Sequence, residues 1–159
     1  MINERNEILK ALRAGPLILR TLVRGLPDDV IRRRPADGEW AIVEVVAHLA
    51  DTEERALGRT RRMLAEQQPF LEPYDPDALA IERNYLGMSL AGEVERFEAL
   101  RSEQLSVLEG LAEDEWSRIG EHSEHGRITV QQLAAHTARE DADHFAQIAR
   151  MIPDEQEAA

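Results

Sequence analysis

The stretch 67-QQPFLEPYDPD-77 decides how the rest of the chain is read. Its three prolines end any helix that enters it and rule out one continuous coiled coil. Two segments with a helical period lie on each side. The first runs from about residue 3 to 26, with apolar residues at Ile8, Leu9, Leu12, Leu17, Leu19, Leu22 and Val23. Gly15-Pro16 interrupts it, so a kink or two abutting helices are expected there. The second starts near Ala41 or Ile42 and ends at about Gln67. Beyond the proline-rich stretch, a short helix over roughly 76–85 leads to Ser89, a plausible N-cap for a third long helix over 90–111. Leu90, Phe97, Leu100, Leu105 and Leu108 are its expected inward positions. Thr129-x-x-Gln132 reads as a capping box for a fourth helix from Val130 to about Met151, stopped by Pro153. Strand signals are weak, with 127-RITV-130 the best. Four long helices with a long crossover between the second and third describe an all-α four-helix bundle. Residues 1–152 are expected to form one domain, and 153–159 a frayed tail.

Composition narrows the function. Of 159 residues, 43% are hydrophobic and only 4% aromatic, so the core has to be built from aliphatic side chains. The formal net charge of −12 repels phosphate backbones and anionic lipid, which argues against nucleic acid and membrane surfaces as partners. The opening MINERNEILK carries no secretory signal, and a cytoplasmic location is the expectation. There is no cysteine, so any thiol chemistry would use a thiol brought by a cosubstrate.

Five histidines remain to be placed: His48, His122, His125, His136 and His144. His122 and His125 fall in 121-EHSEHGR-127 and read as solvated loop residues. His48 sits mid-helix in an almost wholly apolar turn, where it is either a hydrogen-bonded core residue or a ligand. The fourth helix contains 136-HTAREDADH-144. Residues four apart on a helix differ by about 40° and about 6 Å, so His136 with Glu140, or Glu140 with His144, can share an ion. His136 and His144 lie about 12 Å apart along the axis, too far for one metal. Two triads stay open: His48, Glu140 and His144, or His48, His136 and Glu140. Either supplies two imidazoles and a carboxylate from facing helices, a ligand set suited to catalytic zinc or non-haem iron. The alternative is a helical scaffold without metal. Trp40 and Trp116 read as plugs at the bundle ends, and Asp51 and Asp143 as solvating residues or as partners of a ligand imidazole.

The stretches 40-WAIVEVVAHLADTEERALGR-59 and 128-ITVQQLAAHTAREDADHFAQI-148 resemble the two signatures of the DinB/YfiT-like family. The resemblance covers roughly residues 5–151. It implies a four-helix bundle with a long second-to-third crossover, usually a homodimer, holding a divalent metal such as zinc, nickel, iron or manganese on three histidines. His48 matches the first ligand and His144 the last. Glu140 occupies the place of the usual middle histidine, and His136 lies one turn outside the set. The resemblance therefore favours His48, Glu140 and His144. It implies a metal-dependent hydrolase, or a transferase that activates a low-molecular-weight thiol. A scaffold with a decayed site is the alternative.

Overall fold

A computed structural model describes residues 2–154. The four long helices are α1 (Ile2–Val23), α3 (Ile42–Ala65), α5 (Leu90–Glu109) and α6 (Val130–Met151). Two short helices, α2 (Asp28–Ile31) and α4 (Pro76–Glu82), lie in the connections. Both α1 and α3 pack against α5 and α6, which places α1 and α3 on one diagonal of the bundle. Among the described residues no helix is long and apolar enough to cross a membrane. Most of the expected tail, 155–159, lies outside the described residues.

Local chemistry sets the helix ends. Thr129 Oγ1 accepts the Gln132 amide at 3.1 Å while Gln132 Oε1 accepts the Thr129 amide at 2.8 Å, so the capping box starts α6 where the sequence places it. Ser89 caps α5 in the expected way. The polar stretch before α6 folds as a hairpin of β2 (Ile119–His122) and β3 (Gly126–Thr129), with Gly126 at φ +67° in the turn. Within the crossover, β1 (Phe70–Leu71) pairs in parallel with β2, Leu71 opposite His122. The sheet is small, and its strands escape a periodicity reading because none exceeds four residues.

The core has two apolar halves. One gathers Leu19, Val23, Val46, Leu49, Phe97 and Ile148; the other gathers Leu9, Leu12, Met63, Leu108, Trp116 and Leu133. Between them lies a layer of buried charge centred on Arg101, which is 0% exposed. Its guanidinium donates to both oxygens of Glu53, both oxygens of Asp141 and the Leu12 carbonyl, at 2.7–3.0 Å. Leucine spacing alone misplaces the inner face of α5. The buried row is Val94, Phe97, Arg101, Gln104 and Leu108, with Leu100 and Leu105 only half-buried beside it. Leu17 is likewise 67% exposed, against the sequence expectation for α1.

Gly15-Pro16 does not divide α1, which runs through as one helix. Pro16 has no N–H to give to the carbonyl four residues back, Leu12. Arg101 Nη1 fills that vacancy at 2.9 Å. Gly15 makes the approach possible, since a Cβ there would lie 2.7 Å from Arg101 Nη1 and 2.9 Å from Asp141 Oδ2. Gly15→Ala should therefore destabilise the fold by about 1–3 kcal/mol through overpacking, although alanine gains roughly 1 kcal/mol in helix propensity. Urea denaturation of the variant checks this; an unchanged midpoint would mean the network can move aside.

Candidate metal centre

Helices α3 and α6 bring His48 and His144 together. Their ring centroids lie 4.8 Å apart, inclined at 72°. His48 is 6% exposed and rests on the Trp40 ring at 4.9 Å. Burial, followed by the nearby His144, pushes the His48 imidazole down to about 4, with Asp51 opposing. The ring is therefore neutral near pH 7, with a lone pair available. Its Nε2 lies 3.4 Å from Thr52 Oγ1, which lies 3.3 Å from the Tyr74 hydroxyl.

The other histidine is oriented by Gln147. His144 Nδ1 lies 2.9 Å from Gln147 Oε1. Its other ring nitrogen, Nε2, is buried and has no hydrogen-bond partner. Glu140 Oε2 stands 3.5 Å from it. In the tautomer whose proton is on Nδ1, donated to Gln147, a lone pair and a carboxylate oxygen face each other, an arrangement that a cation relieves. A recess of about 600 Å³, lined by Trp40, Asp77, Gln147 and Met151, opens onto His144.

His136 is placed differently. Its Nε2 lies 3.9 Å from Glu140 Oε1, on the side away from His144, and its ring neighbours His125 at 5.7 Å. Glu140 thus stands between the two histidines, as their spacing requires. Among the described residues no three His, Asp or Glu side chains gather tightly enough to form a closed metal-ligand cluster. The donor chemistry nevertheless fits an ion. Two imidazoles sharing one zinc through nitrogens at about 2.0–2.1 Å place their centroids about 5 Å apart, close to the spacing seen. Asp141, one turn before His144, belongs to a buried layer with two carboxylates for one guanidinium. Burial pushes the Asp141 carboxyl up, which Arg101 only partly offsets. A nearby cation would balance that charge.

Asp51 is not a partner of the His48 ring and does not solvate its helix. It is 6% exposed, and Arg83, Arg96 and the Tyr85 hydroxyl all donate to it. Asp143 is exposed. Trp116 is buried as expected, with the Arg5 guanidinium 5.4 Å from its ring centroid. Three contributors escape a reading of the sequence: Gln147, Tyr74 and Asp141. Only Gln147 leaves a signal, being three residues beyond His144 on the same helix.

The profile of the DinB superfamily matches residues 11–148, nearly the whole bundle. The chain belongs to the DinB superfamily. Two relatives are named as putative metal-dependent hydrolases. One, from Geobacillus thermodenitrificans, is 29% identical over 71% of this chain and 64% of its own length, just under two thirds. The other, from Geobacillus kaustophilus, is 27% identical over 93% of this chain and 84% of its own. The solved structure of Bacillus subtilis YfiT superposes with a TM-score of 0.87 at 22% identity, covering 92% of this chain and 85% of that one. Its description is "a probable metal-dependent hydrolase with an unusual four-helix bundle topology". The all-α bundle expected from the sequence is thus the fold of this DinB chain.

Proposed function

We propose that this chain is a metal-dependent hydrolase whose divalent ion is held by His48, His144 and Glu140. The observation that carries the reading is the buried, unpartnered His144 Nε2 facing Glu140 beside a neutral His48. Relatives named for metal-dependent hydrolysis point the same way. When bound, such an ion acidifies a water or thiol ligand toward neutral pH and polarises a carbonyl or phosphoryl oxygen. The chain's own residues supply the rest. Gln147 fixes the His144 tautomer, and Trp40 holds the His48 ring in place. Glu140 is 37% exposed and turns between His144 and His136, so it can complete the ligand set or take a proton from a bound nucleophile. A thiol-dependent transfer would use the same site with a thiol from solution, since the sequence has no cysteine.

Metal analysis of protein purified without chelator tests the assignment. Wild type should carry close to one divalent ion per chain. His48→Ala and His144→Ala should carry almost none while remaining folded, and Glu140→Gln should bind more weakly. Metal-free wild type, or full occupancy in His48→Ala, would overturn it. A panel of esters and amides, each with and without added thiol, then separates hydrolysis from thiol transfer.

A further inference from the structure

The molecule has 31 acidic residues against 19 basic ones, and most of its arginines are matched to carboxylates. Arg20 meets Glu98, Arg34 meets Glu44, Arg96 meets Asp51 and Glu54, and Arg101 meets Glu53 and Asp141. Arg55 and Arg59 are exceptions on α3. Both are half-buried, yet neither makes an ion pair with any described carboxylate. The guanidinium of Arg55 lies over the Tyr74 ring at 3.8 Å. Arg59 gives one N–H to the Glu72 carbonyl at 2.7 Å. The acids that share a recess with Arg55 are already committed, Asp51 to Arg83, Arg96 and Tyr85, and Glu54 to Arg96. Burial and the adjacent Arg55 both push Arg59 down from its ordinary value, which Tyr74 only partly opposes.

The position of this pair gives it meaning. His48, Thr52, Arg55 and Arg59 follow one another at i, i+4, i+7 and i+11, one stripe of α3. The Tyr74 ring that supports Arg55 also meets Thr52, and Thr52 meets His48. At the far end stands His122, on the strand paired with β1. Its Nδ1 accepts the amides of Glu124 and His125 at 3.1 and 3.2 Å, so its proton sits on Nε2 as a donor. Burial and the charge of Arg59 keep the ring neutral. The stripe therefore runs from the imidazole proposed to hold the ion to a rim of donors that no carboxylate neutralises.

We infer that Arg55 and Arg59 form a cradle for an oxyanion, a carboxylate or phosphate on the substrate, while the reacting bond lies at His48. This rests on the hydrolase reading for the reacting end only. Helical rise puts the two positions about 10 and 16 Å along α3 from His48. The substrate is thus an elongated small anion, charged at the end remote from the bond that is broken. Guanidinium groups suit that task because their forked donors match the oxygens of either group.

The test uses chelator-treated full-length protein, so that it does not depend on the ion. Inorganic phosphate and, separately, succinate are titrated while the Arg Nε–H resonances are followed by NMR. Wild type should show saturable shifts at Arg55 and Arg59, with a dissociation constant on the order of 1 mM for the better anion. R55Q/R59Q should weaken binding at least about tenfold; R55K/R59K should retain part of it, and the remote, exposed Arg24→Gln should match wild type. Which anion binds more tightly tells carboxylate from phosphate. Failure of both anions to bind wild type overturns the cradle, as does unchanged binding by folded R55Q/R59Q, which would leave the arginines as pins for the crossover loop. Wild type that carries no ion after purification without chelator, yet binds an anion through these arginines, would remove the hydrolase reading and keep the cradle.

Discussion

Arg101→Met should cost about 3–5 kcal/mol of stability, the largest effect of any single substitution considered for this fold. Glu53 and Asp141 have side-chain exposures of 1% and 8%, and Arg101 is the cation that both carboxylates share. Removing it strands two like charges between the apolar halves of the core and leaves the Leu12 carbonyl without a donor. The loss follows from that stranding and does not measure the net contribution of the network, because burying all three ions was itself expensive. For a chain of this length the melting temperature should fall by on the order of 10 °C. Restoring neutrality separates the two ideas. Arg101→Met combined with Glu53→Met and Asp141→Leu should recover most of the loss. A single variant within about 1 kcal/mol of wild type would show that water reaches the layer and screens it.

The second large effect is a pH dependence of the metal-free protein. The His48 imidazole falls from 6.5 to about 4 on folding, chiefly through burial. A depressed histidine binds its proton more readily in the unfolded chain, so its burial is tolerated fully above pH 6.5. Stability is then lost as the pH falls from there toward 4, by about 3 kcal/mol for a shift of this size. Urea midpoints at pH 7.5, 6, 5 and 4 for wild type and His48→Gln, both treated with chelator, measure it. Wild type should lose about 3 kcal/mol more than the variant over that range. Parallel curves would mean that His48 stays solvated enough to titrate normally.

The parts of the fold legible in the sequence are those set by local chemistry. Prolines 69, 73 and 76 break the chain in the crossover, and Ser89 and Thr129 start helices through side-chain caps a few residues long. His48 was legible for a similar reason, as a polar residue within an apolar turn. What stayed hidden depends on partners remote in sequence. Arg101 looks like any surface arginine until Glu53 and Asp141, 48 and 40 residues away, close on it. Asp51 looks solvated until Arg83 and Tyr85 from the crossover and Arg96 from α5 arrive. The hairpin is missed because its pairing, not its residues, makes it a strand, and Arg55 and Arg59 gain significance only from the carboxylates they lack. Glu140 stands out by spacing as a candidate ligand, and the metal assay decides its role.

The contact between Arg101 and the Leu12 carbonyl also couples two distant positions of the chain. With most residues at position 16, α1 would satisfy Leu12 from its own backbone and need nothing from α5. Proline removes that self-sufficiency and makes one helix's backbone depend on another helix's side chain. Positions 16 and 101, on different helices and far apart in the chain, are thus energetically coupled: replacing Arg101 leaves the Leu12 carbonyl unpaired only because residue 16 is proline.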